Sequence, residues 1–290
     1  ALAPGEVAPV DSGSVAPQGS GAPLVSGETT FSPEEGSTSD EIGLRVALRF
    51  WGASSAPATV EGSQRETFLL PSGGLTISYL SPSCNFGGIV NFFYGQGRGD
   101  STFEDAIGSR NVATAAGVDR FDGRQETYRY DVELLLRYSV PDTPAYFLGG
   151  VRYIFMKEDS KGDVVPGSLN GTSRGYKREL TFNNVILFEL GGGVVGNISE
   201  DRRHRLFGTA VVGFGAWLGD YQADQIAPNR TTVDGDDDEW TDFAYSADLT
   251  FGYQWSITDS VELGLSYRLL VFTSQRGDED RTNLTHGLEL

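Results

Sequence analysis

Between Trp240 and Phe272 the chain alternates with a period of two. Phe243, Tyr245, Ala247, Leu249, Phe251, Tyr253 and Trp255 fall on one face, while Asp242, Ala244, Ser246, Asp248, Thr250, Gly252 and Gln254 fall on the other. After a turn at Ile257-Thr258-Asp259-Ser260, Val261, Leu263, Leu265, Tyr267, Leu269 and Val271 alternate with Glu262, Gly264, Ser266 and Arg268. Successive strand side chains point to opposite faces, so the pattern predicts two antiparallel strands. Ordinary strands run about 5–6 residues, and these are far longer.

The alternation recurs through residues 40–290. Ile42, Leu44, Val46, Leu48 and Phe50 oppose Arg45, Ala47, Arg49 and Trp51, and Leu75, Ile77 and Tyr79 oppose Thr76 and Ser78. Phe86, Gly88, Val90, Phe92 and Tyr94 form another face. Tyr128 through Tyr138 oppose Arg129, Asp131, Glu133 and Arg137; Phe147, Val151, Tyr153 and Phe155 oppose Arg152; Ile186, Phe188, Leu190 and Val194 oppose Glu189. With 206–218 and 284–290 this makes about ten strands. Connections near 81–85, 141–144, 199–204 and 257–260 are short, whereas 52–66, 96–123, 158–177, 219–239 and 273–280 read as long loops. Residues 1–39, rich in Ala, Pro, Gly and Ser, carry too little apolar surface to fold alone and read as an extended tail.

Long alternating strands, short turns that alternate with long loops, and an even strand number resemble bacterial outer-membrane β-barrels. The resemblance covers about residues 40–290 and rests on pattern. It implies an all-β fold: a transmembrane, antiparallel, up-and-down barrel of about ten strands in the bacterial outer membrane, surrounded by lipid and lipopolysaccharide. Short turns and both chain ends, with the tail, would be periplasmic. Two interface girdles are expected, because amphipathic rings prefer membrane boundaries. Tyr94, Tyr153, Trp217, Trp240 and Phe272 fall near the long-loop ends of their strands, and Tyr138, Tyr146, Trp255 and Tyr267 near the short-turn ends.

With the apolar face on lipid, the other face lines the lumen. It carries Arg45, Arg49, Arg129, Asp131, Glu133, Arg137, Arg152, Glu189, Asp242, Asp248, Glu262 and Arg268. Width grows with strand number, and porin-like channels use about 16–18 strands. Opposite charges in so narrow a space must pair, because an unpaired confined charge is expensive. A filled, barely conducting interior is therefore expected.

Composition narrows the function further. The net charge is −18 with no concentrated basic run, which argues against nucleic-acid binding. A single cysteine, Cys84, rules out an internal disulfide. Ten-stranded outer-membrane proteases use Asp and His, but this chain has two histidines only: His204 in a short turn and His286 with lipid-facing parity. Enzyme activity is not expected. Asp234, Asp236 and Asp238 form an acidic candidate site for loose Ca²⁺ binding, though Glu239 stands where a calcium loop needs Gly; no other cofactor is expected. Arg98-Gly99-Asp100 spells an adhesion tripeptide in a predicted loop. The expectation is a structural, anchoring or scaffold component of the cell envelope whose tail, 1–39, contacts a partner protein. The alternative is a narrow channel for ions or small solutes, plugged or gated by that tail.

Overall fold

The computed structural model describes residues 43–56, 63–65, 68–81, 84–107, 117–164, 176–226, 232–258, 261–276 and 279–290. The tail, 1–39, and the role expected of it lie outside these residues. Among the described residues eleven strands follow one another: β1 (Leu44–Ala56), β2 (Ser63–Arg65), β3 (Phe68–Leu80), β4 (Phe86–Ile107), β5 (Gly117–Ser139), β6 (Ala145–Val164), β7 (Tyr176–Asn197), β8 (His204–Ile226), β9 (Thr232–Thr258), β10 (Val261–Arg276) and β11 (Glu279–Glu289). The sheet order is β2-β4-β3-β1-β11-β10-β9-β8-β7-β6-β5, and β4 also pairs with β5. All strands but β2 thus form a closed antiparallel ring of ten, and β2 is appended to the distal half of β4 through Ser63 and Phe103. Closure removes the unpaired edges that an open sheet would present.

The short turns lie where the alternation places them. In the turn after β5, Asp142 adopts a left-handed φ of 59°, and the Thr143 hydroxyl donates to the Val140 carbonyl at 3.1 Å. In the turn after β7, Arg202 has φ 57°, its N–H donates to the Ser199 carbonyl, and the Ser199 Oγ accepts from the His204 N–H at 3.2 Å. The Ser199 hydroxyl, with help from the Arg203 N–H, holds the Asp201 carboxyl below its ordinary range. Free, exposed Cys84 lies between β3 and β4, its thiol lowered by the Ser81 side chain and by the Phe86 backbone.

The long connections differ from expectation. Most of 96–123, 219–239 and 273–280, and the two ends of 158–177, continue as paired strand: β4 and β5 remain in register from Phe86↔Tyr138 to Ile107↔Gly117, and β8 and β9 to Ile226↔Thr232. A hairpin ladder satisfies backbone N–H and C=O groups whatever the side chains. Apolar alternation reports only where a face is buried, so it fades while the strand goes on. Arg98-Gly99-Asp100 accordingly lies in β4, opposite Glu126, Gln125 and Arg124, and not in a loop. The backbone of Asp234, Asp236 and Asp238 belongs to β9, but their side chains, and with them the Ca²⁺ expectation, lie outside the described residues.

Wall height is uneven. Strands β4 to β9 run 20 to 27 residues, whereas β1 and β3 have 13 and β11 has 11. β11 pairs with β1 over Trp51–Ala56 only, and Leu290 exchanges two backbone bonds with Phe50. Below that point, among the described residues, β1 and β10 meet through side chains, with Arg45 Nη1 at 3.7 Å from Glu262 Oε2.

Candidate functional site

Burial alternates along every long strand, and the sense is inverted relative to a soluble barrel. Large apolar side chains point out around the ring, among them Leu48, Phe92, Leu136, Phe147, Phe188, Val212, Phe251 and Leu263. Few soluble monomers expose a contiguous apolar patch of more than a few hundred Å². On β9 the outward run from Trp255 to Phe243 rises about 30 Å along the axis, taking ~3.3 Å per residue and a tilt near 40°. That is about the thickness of a bilayer's hydrocarbon core.

Rings mark both borders of this belt. Tyr94 packs on Tyr130 with centroids 5.0 Å apart, Tyr130 on Phe155 at 6.0 Å and Phe155 on Phe182 at 6.5 Å, forming one row across β4 to β7. Toward the short turns, Tyr138 packs on Phe86 at 4.9 Å and Trp255 on His204 at 6.2 Å. Tyr153 and Tyr267 also face outward, the latter sharing a 2.8 Å hydrogen bond with His286 Nδ1. Four expected girdle rings are corrected: Trp217, Trp240, Phe272 and Tyr146 are buried inside the barrel. Their positions have lumen parity; height along the strand suggested a girdle, but parity decides the face.

The described interior is layered. Nearest the short turns, Leu135, Tyr146, Leu148 and Val211 pack together, with Arg137 4.3 Å above the Tyr146 ring. Arg45 and Arg205 approach Glu262 beside this layer. Next comes an ionic layer centred on Arg152, whose side chain is fully buried. Its Nε and Nη2 donate to Asp131 at 2.8 Å each, and its Nη1 donates to Asp248 at 2.7 Å and to Glu189 at 3.4 Å. Glu133 is 3.7 Å away. Arg268 grips Asp248 through Nε and Nη2, Arg129 donates to Asp131 and to Thr285 at 3.0 Å, and Arg49 pairs with Glu289. Asn91 donates to Glu133 and accepts from Thr76 at 2.6 Å. Gly213 makes room here, since a Cβ would stand 2.3 Å from Ser246 Oγ and 3.3 Å from Glu189 Cγ.

Above the ionic layer sits an apolar one: Trp51, Ala53, Ile154, Met156, Val185, Leu187, Trp217, Ala244, Leu270 and Phe272. The two are stitched together by cation–π contacts. Arg268 lies 5.1 Å from the Trp51 ring and 5.2 Å from Phe93, and Arg129 lies 5.6 Å from Phe272. Trp217 Nε1 donates to Asn183 at 2.8 Å, so the ring is satisfied at its polar end. Sequence reading brought the charged side chains to the lumen and missed this second layer. The odd positions of β8 and the even positions of β10 that follow the charges carried its signal. Asp242 faces the lumen with one buried oxygen unbonded.

Both histidines bond tyrosines on the outer face, His204 the Tyr253 hydroxyl at 2.5 Å and His286 that of Tyr267, and His204 also stands near enough to the Asp201 carboxylate to favour its charge. No family model matches the chain, and no curated protein matches it. Among solved structures, it is similar to the translocator domain of the autotransporter NalP from Neisseria meningitidis, with 12% identity over 87% of this chain and 89% of that one and a TM-score of 0.22. A likeness at that score carries no weight on function, and the reading of this chain rests on the two faces of its own ten-stranded ring.

Proposed function

We propose that the protein is an integral outer-membrane barrel that serves as a structural or anchoring component and does not conduct. The observation that carries this reading is the ionic layer, where Arg152 joins Asp131 on β5 to Asp248 on β9 across the lumen. Arg129 likewise ties β5 to Thr285 on β11. Apolar layers stand above and below these links. An ion crossing that stack would have to separate buried, hydrogen-bonded charges, which costs several kcal/mol per broken pair. The outward apolar belt supports residence in a bilayer, and strands that cross in this way occur in outer membranes. In this reading the short turns are periplasmic, the elongated hairpins of β4 to β9 stand outside, and residues 1–39 form an arm for a periplasmic protein partner. Planar-bilayer recordings of the full-length chain and of a chain lacking residues 1–39 test it. Silence from both, with the barrel shown to be folded, is expected; discrete openings in the deletion alone would establish a pore plugged by the tail.

A further inference from the structure

The short-turn mouth of the lumen holds more positive charge than its own residues balance. Among described side chains that face inward there, Arg45, Arg137 and Arg205 meet a single carboxylate, Glu262. Arg45 and Arg205 approach it at 3.7 and 3.8 Å, too long for hydrogen bonds. Glu262 is already engaged, accepting from Gln254 and from Ser256 Oγ, the latter at 3.1 Å. Arg137 lies 4.3 Å over the Tyr146 ring with its Nε unbonded. The turns around the mouth do not supply the missing anion. Their acids Asp142, Glu200 and Asp201 are exposed, as are Arg202 and Arg203, and Asp201 accepts from the Arg203 N–H at 3.2 Å.

The chain itself carries anions to this place. Gly43, whose carbonyl accepts from the Leu80 N–H at 2.9 Å, enters β1 at the rim of the mouth with the inward parity of Arg45. Ahead of Arg45 the sequence has no Lys or Arg, but it has Glu6, Asp11, Glu28, Glu34, Glu35, Asp40 and Glu41. Asp40 and Glu41 are within about 10 Å of chain from Gly43, and Glu34 and Glu35 within about 30 Å. Carboxylates tethered so closely reach an effective concentration in the millimolar range, which a free acidic ligand would have to exceed.

We propose that residues 34–41 turn back into this mouth as an acidic strap, the carboxylates of Glu34, Glu35, Asp40 and Glu41 pairing with Arg45, Arg137 and Arg205. Guanidinium forks match carboxylates in two-bonded geometry, and a cation left unpaired in a confined mouth is costly. The strap is not what closes the lumen. The layer of Leu135, Tyr146, Leu148 and Val211 and the ionic layer around Arg152 already fill the space above it. Its role is to fix where the tail leaves the barrel, and it leaves residues 1–33 for the periplasmic partner. The proposal rests on the reading of residues 1–39 as an arm. Because Arg45 is half exposed, the pairing is also sensitive to salt.

The test uses the full-length protein in detergent micelles, spin-labelled at native Cys84 and at Ser37→Cys, and reads the spread of distances between the labels. A free tether from Ser37 to Gly43 would spread over roughly 13 Å; at low salt the strapped one should spread over less than about half of that. Arg45→Gln/Arg137→Gln/Arg205→Gln should restore the wide spread. Glu34→Gln/Glu35→Gln/Asp40→Asn/Glu41→Gln should do the same, and the two sets combined should add nothing further. Salt at about 1 M should widen the spread with all the charges in place, and Arg124→Gln at the far end of β5 should leave it narrow. A wide spread at low salt with all the charges in place, or a narrow one that neither set of substitutions moves, would overturn the strap. Heat-modifiable gel migration verifies folding. Arg45→Gln/Arg205→Gln, at partly exposed positions, is the second variant and should widen the spread in the same direction. Bilayer recordings of the triple arginine variant are scored separately. Openings there would sink the non-conducting reading, whereas silence together with a wide spread in the unsubstituted strap and mouth sinks the strap alone.

Discussion

The ionic and the apolar layers of the lumen fill the same cross-section by opposite means. Around Arg152 the space is bridged by directional bonds between charges, each group depending on its partners to repay the loss of water. Around Trp217 and Phe272, whose ring centroids are 5.3 Å apart, it is filled chiefly by volume, with one polar link from Trp217 Nε1 to Asn183. The ionic layer should therefore be sensitive to the removal of one partner and indifferent to modest changes in size. The apolar layer should respond to size and not to which apolar group supplies it.

The largest effect is expected for Arg152→Met, which removes the cation between Asp131, Glu189 and Asp248. It should cost about 3–5 kcal/mol in urea unfolding from detergent or vesicles, and neutralising Asp131 and Asp248 in the same chain should recover part of it. Trp217→Ala should cost about 3–5 kcal/mol through the cavity it leaves, with Trp217→Phe far milder. Gly219→Val should come next, because a Cβ there would fall 1.9 Å from the Trp240 ring; overpacking of that kind costs roughly 1–3 kcal/mol. Glu189→Gln should be nearly silent, within about 1.5 kcal/mol. Arg49, Arg129, Arg152 and Arg268 face Asp131, Glu133, Glu189, Asp248 and Glu289, one carboxylate too many, so neutralising Glu189 improves the balance. A large loss in Glu189→Gln would contradict the charge accounting of that layer. The smallest effect belongs to a turn: Arg202→Gly relieves a left-handed φ of 57° and should stabilise by about 1 kcal/mol.

The contrast also explains what could be read from the chain. The strands, their outward face and the inward set of charges follow from period-two alternation, because apolar and charged groups on opposite sides of one strand leave an unmistakable pattern. Where β10 passes from Arg268 to Leu270 and Phe272, both of its faces are apolar, and the pattern no longer says which side is in. Height near a strand end points Trp217 to a girdle, although Val212, Phe214 and Leu218 fix the outward parity of β8 and leave Trp217 on the inner face. The continuation of β8 and β9 beyond Leu218 and Trp240 had no apolar signal, since there the ladder is held by backbone bonds. The pairing of Arg152 with four carboxylates from three other strands was out of reach, because registry between distant strands is set by the closed ring and not by any one segment.

The four tryptophans offer the most direct test of which face meets lipid. Trp255 points outward, 41% exposed, while Trp51, Trp217 and Trp240 are buried inside the ring. In vesicles of brominated phosphatidylcholine, fluorescence of the folded protein should be quenched through Trp255, and Trp255→Phe should abolish nearly all of that quenching. Quenching that persists in Trp255→Phe, or that disappears in Trp217→Phe, would place the lumen side on lipid and contradict the inverted barrel.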